Sequence, residues 1–408
     1  MSDFDDPSIA DSDNAAWYLR QAFASLTSAA DPIGNIDLDA LWRKRDISQL
    51  GPIYDGNQQA INFLRQAGQH GKAVWFASSA NSASPSELNQ FRWLALVTQG
   101  LVTVPHVRGQ DAEAMRMMHD ELRMADAVEH YFPGITNQLT ASGIRYCGID
   151  NAINLSRDLL VSEGSSSAAA SRQQVLDAIS QLLDERENQN GFIRGIQGDR
   201  VWREDVTANA LPGEAVDPES WPLLPLLDVN AAVSIREESG MLAIIPADPS
   251  KMCWPALGGT AGNAELISGA PRTLVGQIAA IRRLAPHLMT KLSEIQCFDL
   301  FNSRAAAMAL AIRLYRFDHG GKWPESLSQL IPQYLPRIPV DPFSPTVASI
   351  LYKLNQSTDP IIYSVGENGM DDAGSDSLPS GVRFPGRFNQ LDIVVHLINQ
   401  SPATQPEN

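Results

Sequence analysis

The sequence predicts a mainly α-helical fold: an antiparallel helical body, then a C-terminal α+β module in which a long helix packs on a small antiparallel β-sheet. Three observations lead to this prediction. Apolar residues recur at helical spacing through most of the first 190 residues and again over 301–317. Prolines cluster over 191–271 and would interrupt long helices there. Two β-rich runs, 350–354 and 361–365, flank a polar turn and are typical of a hairpin.

Length and composition predict several folded domains. The 408 residues are 44% hydrophobic and 19% charged, which is close to the average for soluble globular proteins and far from the composition of disordered chains. We divide the chain into a disordered N-terminus, a helical domain, a proline-rich irregular region with returning helices, an α+β module and a C-terminal segment with a disordered end. In order, these are residues 1–13, 14–190, 191–300, 301–385 and 386–408.

Apolar spacing predicts individual helices within the body. The clearest covers residues 111–131, where apolar side chains repeat on one face and a Pro-Gly pair follows. Further helices are predicted over 151–162 and 172–187. Helices are expected to resume near residue 272, with a break near Pro286, because a proline inside a helix removes a backbone hydrogen bond.

The module begins with a strong helical pattern. Residues 301–317 place Ala305, Met308 and Ile312 on one face, and two consecutive glycines end the helix. The two β-rich runs are expected to pair as an antiparallel hairpin. Prolines between the helix and the hairpin fix turns that bring bulky side chains together, and we predict five of them as the module's core: Trp323, Leu327, Tyr334, Phe343 and Tyr363.

The net charge argues against one broad class of partner. Lys and Arg number 31 against 47 Asp and Glu, and the resulting charge of −16 repels a phosphate backbone, so nucleic-acid binding is not expected.

The three cysteines, Cys147, Cys253 and Cys297, are far apart in sequence and form no CxxC pair. Neither a disulfide framework nor a zinc site is therefore predicted.

The sequence predicts neither an export signal nor a membrane-spanning helix in this chain. Residues 1–13 are acidic and lack the apolar stretch of a signal peptide. The longest uninterrupted apolar run, 305–312, is far shorter than the roughly 18–20 residues that cross a bilayer. Composition is also compatible with an N-terminal anchor that has been removed. It therefore does not decide between a cytoplasmic and an extracytoplasmic location.

No residue pattern points to a particular reaction. His119 and His130 lie about three turns apart on the predicted helix 111–131, but their spacing is not that of HExxH or ExxH. We therefore interpret both as surface residues or as residues whose hydrogen bonds are satisfied within the fold. His319, beside Asp318 at the end of the module helix, is explained by the favourable interaction of a histidine with a helix C-terminus.

The predicted module also contains short motifs in a distinctive order. In sequence they are Tyr315-Arg316-Phe317-Asp318-His319-Gly320, Trp323-Pro324-Glu325-Ser326-Leu327, Tyr334-Leu335, Ile338-Pro339, Asp341-Pro342-Phe343 and Ile362-Tyr363-Ser364-Val365-Gly366. This order resembles the C-terminal domain of the type II secretion major pseudopilin over about residues 303–381. The whole chain resembles large bacterial proteins in which an anchored helical region precedes the same ending.

The chain departs from the pseudopilin pattern at its beginning. A pseudopilin is short and starts with a hydrophobic helix that a prepilin peptidase processes, whereas residues 1–302 here precede the motif. A filament subunit is therefore not expected, and the resemblance implies that the same module is used in another setting.

The resemblance also implies a calcium site in the loop that follows the hairpin. Calcium needs six to eight oxygen ligands, and a glycine-containing acidic loop can supply them. Ala373 stands where a second glycine is common, and Glu367 with the next residue replaces the usual pair ending in Asp. The alternative is a solvated turn whose side chains cap backbone amides. The candidate ligands are Asn368, Asp371, Asp372 and Asp376.

The resemblance implies a non-enzymatic structural or interaction component of a bacterial cell-envelope or secretion-related system, with protein partners. Two alternatives stay open: a soluble helical adaptor, which would be cytoplasmic, and a hydrolase whose carboxylates are scattered over the helical body. A pocket with convergent carboxylates of shifted pKa would favour the hydrolase. An exposed apolar patch without such a pocket would favour the adaptor.

Overall fold

The protein is described here from a computed structural model, which covers residues 10–27, 45–70, 73–75, 85–130, 134–164, 168–209, 224–248, 251–252, 274–354, 360–377 and 391–398. Over these residues the fold is mainly α-helical and ends in a small antiparallel sheet, so the predicted fold class is confirmed. None of the described helices combines the length and the apolar composition of a membrane-spanning helix.

Helices make up most of the described chain. They are α1 (Ala15–Ala24), α2 (Ile47–Gly56), α3 (Gln58–Gln69), α4 (Pro85–Val107), α5 (Asp111–Glu129), α6 (Ile135–Ser156), α7 (Arg172–Leu182), α8 (Glu185–Asn209), α9 (Leu224–Ile244) and α10 (Leu274–Asp318). Two short parallel strands, β1 (Val161–Ser162) and β2 (Ala170–Ser171), follow α6. Helix α5 matches the prediction over 111–131 to within two residues.

Close approach of neighbouring helices holds the body together. Helices α5 and α6 are antiparallel, and a Cβ atom at Gly148 would collide with the side chain of Leu122. Asn14 is buried and caps α1, because its Oδ1 accepts hydrogen bonds from the amides of Ala16 and Val74 at 3.1 and 2.9 Å. One side chain therefore starts a helix and ties it to a distant segment.

Two helix predictions in the body were wrong in their boundaries. The helix predicted over 151–162 begins at Ile135 and ends at Ser156. Its first half was missed because polar side chains such as Asn137, Thr140 and Arg145 lie on buried faces and obscure the apolar period. The helix predicted over 172–187 is two helices, since α7 ends at Leu182 and α8 begins at Glu185.

The proline-rich region is more helical than the sequence predicted. Helix α8 continues to Asn209, α9 lies inside the region, and α10 runs without interruption through Pro286. A proline's φ near −65° is itself helical, so a single proline removes one backbone hydrogen bond without forcing the chain out of the helix. Helix α10 also contacts α6, α7 and α9, and this packing supports its length.

Some predictions fall outside the described residues: Cys253, the predicted disorder at 1–9 and the disordered end at 399–408. Residues 11–13 of the predicted disordered N-terminus form a single 3₁₀ turn, Asp11–Asp13. This turn is joined to α1, because the carbonyl of Asp11 accepts a hydrogen bond from the amide of Asn14 at 3.2 Å and the hydroxyl of Tyr18 donates to the carbonyl of Ser12 at 3.2 Å.

The module contains a three-stranded antiparallel sheet ordered β3 (Leu351–Lys353), β4 (Ile361–Ser364) and β5 (Ile393–His396). Strands β3 and β4 form the predicted hairpin, with Leu351 opposite Tyr363. Strand β5 comes from the segment 386–408, where the sequence analysis placed no strand. A four-residue run gives too short an alternation to be recognised without its neighbours.

The module's core is continuous with α10. Phe343 is 1% exposed, and Leu327 and Tyr334 are buried in the same cluster as the apolar residues of α10. Tyr363 was wrongly placed in that core: it is buried on the opposite face of the sheet from Ile362, because successive residues of a strand point to opposite sides. Trp323 is half-buried under the guanidinium of Arg316, 3.9 Å from its ring centroid.

Candidate functional site

The acidic loop, residues 366–377, leaves the end of β4 and folds back over the outer face of the sheet. A Cβ atom at Gly374 would collide with Ile361 and would touch Tyr363, so the loop lies directly against β4. Gly369, Ala373 and Gly374 have φ angles of 66°, 60° and 75°. Ala373 therefore adopts the left-handed conformation for which glycine is the usual residue, and its amide is held by the Asp371 carboxylate at 2.9 Å.

The predicted calcium ligands do not converge on one point. The Asn368 side-chain amide donates to Asp372 Oδ2 at 2.8 Å, while Asp371 caps the amide of Ala373. Asp376 lies apart, with Oδ2 3.9 Å from Nε2 of His396. Within the described part of the chain, no three or more His, Cys, Asp or Glu side chains are arranged as a metal site. Asn368 and Asp371 therefore cap the amides of Met370 and Ala373, whereas Asp372 and Asp376 contact side chains.

Asp392 holds the acidic loop in place through hydrogen bonds, and it was not among the site residues predicted from the sequence. Its carboxylate is fully buried and accepts hydrogen bonds from the amides of Gly374 at 2.7 Å, Ser375 at 3.1 Å and Asp372 at 3.4 Å. Burial raises the pKa of Asp392, and the three amides oppose that rise. The available signal was an Asp directly before the β-branched run that forms β5.

The acidic loop also meets the helical part of the chain. Glu367 faces Glu294 of α10, which is 1% exposed and pairs with Lys291 one turn earlier. Burial and the neighbouring Glu294 raise the pKa of Glu367 to about 8. The loop therefore rests against α10 through a carboxyl pair that retains a proton near neutral pH.

Asp341, in the Asp-Pro-Phe motif, plays the same organising part inside the module. The side chain is fully buried and accepts hydrogen bonds from the amides of Phe343 and Val365, both at 2.9 Å, and from the Ser364 hydroxyl at 2.7 Å. Burial raises its pKa, although these donors favour the ionised form. The motif thus fixes the turn that places Phe343 in the core.

The helical body contains a second candidate site, which we call the polar groove. It consists of two cavities, of about 460 and 280 Å³, and His119 and Asp177 line both of them. The first cavity lies between α5, α6, α7, α8 and α10, and the second between α3, α5 and α7. The first is lined by His119, Leu122, Arg123, Asp126, Arg145, Asp177, Ser180, Gln181, Leu182, Asp184, Glu185, Glu187, Asn188, Leu300 and Ser303.

Buried ion pairs form one wall of the first cavity. Arg145 is 7% exposed and pairs with Glu129 at 2.7 Å and with Asp126 at 3.1 Å. Burial would lower the pKa of Arg145, but these two carboxylates raise it, so the guanidinium stays charged. Burial raises the pKa of Glu129, against the effect of Arg145. The wall is a tightly coupled charge network that holds α5 against α6.

His119 and Asp120 have shifted pKa values and line the groove. Burial lowers the pKa of His119, whose Nδ1 lies 2.6 Å from Gln181 Oε1, so the ring is neutral at pH 7. Burial raises the pKa of Asp120 to about 7, against the effect of Arg65. The Oδ2 atom of Asp120 is buried and makes no hydrogen bond. His119 was expected to be a surface residue or one whose hydrogen bonds are satisfied; its ring is half-buried in the groove wall and is hydrogen-bonded to Gln181.

Acidic residues on the buried face of α5 gave a signal that was not used. Met117, Glu121, Met124 and Val128 follow one another at helical spacing, so Glu121 lies within an apolar stripe. Its side chain is fully buried, and burial raises its pKa to about 8. An acid in such a stripe indicates either a buried charge pair or a carboxyl group that stays protonated.

Comparison of the chain with protein-family models, with curated proteins and with solved structures gives no match. What the protein does is therefore inferred from the chemistry of its own residues.

Proposed function

We propose that the protein is a structural or interaction component of a bacterial cell-envelope or secretion-related system, in which the helical body carries the pseudopilin-like module and the module meets protein partners. The observation that supports this most directly is Arg304. Its guanidinium on α10 pairs with both carboxylate oxygens of Glu185 at 2.6 and 2.7 Å and donates to the Val340 carbonyl at 2.8 Å. One buried side chain thus joins α8, α10 and the module.

Further arginines strengthen the same junction. Arg157, just after α6, donates to the carbonyl of His396 in β5 at 3.2 Å. Arg172 of α7 pairs with both oxygens of Asp318 at 2.7 and 2.9 Å, and the Tyr334 hydroxyl donates to the same carboxylate. Because of these links, a force that a partner exerts on the module would be transmitted to the helical body. A structural component needs such a connection.

Site-specific photo-crosslinking in the native host tests this function. A photoreactive residue would replace Val347 or Met370, which are 51% and 61% exposed on the module, and Val201, 50% exposed on the body, would serve as the matched control. We expect a discrete adduct with an envelope protein from the two module positions and none from the control. Absence of an adduct at both module positions, or the same adduct from Val201, would refute the proposal.

The polar groove favours a second candidate, a carboxylate-using hydrolase in the helical body. Asp120, with a pKa of about 7, is present in both protonation states at neutral pH, as a general acid and base must be, and the neutral ring of His119 lines the same groove. Nitrophenyl esters, phosphates and glycosides would be offered to the wild type and to Asp120→Asn. Turnover that is lost in the variant supports this candidate, and turnover that is equal in both excludes Asp120 from it.

A further inference from the structure

The polar groove has the charge of a site for cations. Five carboxylates and two guanidinium groups line the first cavity. Glu185 is paired with Arg304, Asp126 with Arg145 and Glu187, at 3.9 Å, with Arg194, which leaves the rim carboxylates of Asp177 and Asp184 against Arg123. The net charge of −16 adds long-range attraction for a positively charged ligand.

Three leucines line part of the first cavity, and we call them the leucine floor. They are Leu122, Leu182 and Leu300, and they are at most 4% exposed. A volume of about 460 Å³ is the size of a small-molecule site and far larger than a metal ion. Carboxylates above a leucine floor match a ligand that has methylene groups along its length and a charged nitrogen at its end.

Two side chains that line the groove carry hydrogen-bond acceptors. In the neutral ring of His119 the Nδ1 proton is assigned to the hydrogen bond with Gln181 Oε1, so Nε2 carries a lone pair. In the second cavity the Asp120 side chain is 8% exposed and its Oδ2 makes no hydrogen bond. The nearest guanidinium atom, Arg65 Nε, is 3.6 Å away, and Arg65 is already paired with Glu113 at 2.5 Å. The Asp120 carboxylate is therefore ion-paired with Arg65 but accepts no hydrogen bond at Oδ2, and an ammonium group would supply that donor.

We propose that the polar groove binds a linear aliphatic diamine or polyamine, with its methylene chain on the leucine floor and its ammonium groups at Asp177 and Asp120. Because His119 and Asp177 line both cavities, one ligand can extend from the first cavity into the second. This site lies in the helical body and does not rest on the proposed role of the module. Binding is measured without turnover, so the result is also separate from the hydrolase candidate.

Calorimetric titration of the full chain at pH 7 tests this proposal. The probes are 1,5-diaminopentane and spermidine, with 1-aminopentane as the singly charged ligand and 1,5-pentanediol and glutarate as neutral and anionic ligands of the same length. We expect both polyvalent amines to bind, spermidine more tightly, and the diol and glutarate to give no heat. Ammonium binding ionises Asp120, which Arg65, Glu113, Arg116, His119 and Asp177 surround, so roughly half a proton is released per diamine at pH 7.

Two variants locate the ligand. Asp177→Asn, at an exposed position, is expected to weaken diamine binding at least tenfold, and Asp120→Asn to weaken the diamine far more than 1-aminopentane. Glu325→Gln, on the exposed surface of the module, removes the same charge and is expected to leave binding unchanged. Circular dichroism confirms that each variant is folded. Absence of amine binding, binding of glutarate in its place, or wild-type affinity in Asp177→Asn would overturn the proposal.

Discussion

The helical body and the C-terminal module bury ionisable side chains in opposite ways. In the body, Glu129 is held by the guanidinium of Arg145, and Glu121 has a pKa raised to about 8. In the module, Asp341 and Asp392 accept hydrogen bonds from loop amides. A helix uses its own backbone donors internally, whereas a loop leaves them free. A buried acid on a helix therefore needs a cationic side chain or a proton, and a buried acid beside loops can organise them.

His106 shows the same rule at the end of a helix. Its ring lies between the carboxylates of Asp111 and Asp158, with Nε2 3.0 Å from the latter. Burial would lower the pKa of His106, but hydrogen bonds to the two carboxylates raise it to about 9. Side-chain pairing in the body thus creates charge clusters, and the polar groove lies among such clusters.

The largest expected effect concerns the module's apolar core, where both regions meet. Phe343→Ala should lower the free energy of unfolding by about 3–5 kcal/mol, because Phe343 is 1% exposed and its removal leaves a cavity. Phe317→Ala is the control, since Phe317 is 38% exposed and should cost far less. Urea unfolding measures both. A Phe343→Ala protein as stable as the wild type would show that the module does not depend on this core.

Mutation of the buried ion pair between Arg145 and Glu129 should lower stability nearly as much. Arg145→Met is expected to cost about 3–4 kcal/mol, because it leaves Glu129 buried without its cation. Arg123→Met, on the exposed surface of the same groove, should change stability little. Adding Glu129→Gln to Arg145→Met should recover part of the loss in a double-mutant cycle. No recovery would mean that Arg145 acts through packing alone.

A loop-organising carboxylate should matter somewhat less. Asp341→Ala removes an acceptor from two backbone amides and one hydroxyl, and we expect a loss of about 2–3 kcal/mol. Asp371→Ala, which removes one exposed cap, should cost well under 1 kcal/mol. Thermal melts compare the two variants. Equal losses would contradict the distinction between a buried organiser and a surface cap.

Replacement of Glu121 is expected to stabilise the protein, unlike the substitutions above. Its pKa is raised from 4.5 to about 8 in the folded protein, so the folded state holds the proton more tightly and the free energy of unfolding falls as pH rises from about 4.5 to 8. Glu121→Gln keeps an oxygen for the Asn151 amide and should be more stable than the wild type by about 2 kcal/mol at pH 8. Below pH 4.5 the two proteins should be alike. A stability difference between the two proteins that does not change with pH over this range would show that the pKa of Glu121 is not raised by folding.

The sequence predicted features that depend on neighbouring residues and missed those that depend on contacts between distant segments. Helical spacing and two β-rich runs predicted the fold class and the hairpin, and the prolines between the module helix and the hairpin predicted the buried Phe343. Strand β5 and the role of Asp392 in holding the acidic loop were missed, because each depends on contacts with a segment that is distant in sequence. The polar groove was missed because it forms where α5 packs against helices that are distant in sequence, and no spacing within one helix brings Asp120 and Asp177 to the same cavity.

The smallest expected effect is that of calcium, and it tests whether the acidic loop is only a capped turn. The predicted ligands Asn368 and Asp372 bind each other at 2.8 Å, so calcium would have to replace that hydrogen bond and draw Asp376 away from His396. The loop supplies flexible glycines and several oxygen atoms, which suits calcium better than magnesium, because magnesium demands near-octahedral geometry. This rearrangement raises the dissociation constant. At about ten times that constant, calcium should add about 1.4 kcal/mol to the free energy of unfolding by mass action.

Thermal melts of the full chain in calcium, in magnesium and in chelator measure this effect, with Asp371→Ala as the variant and Glu325→Gln as the charge-matched control. A rise in midpoint with calcium alone, absent in Asp371→Ala and kept in Glu325→Gln, would place a cation in the acidic loop. Equal midpoints in calcium and chelator, with no heat of binding, would establish the capped turn. In that case Asp371 would cap backbone amides as Asp341 and Asp392 do, in contrast to the ion-paired Glu129 of the helical body.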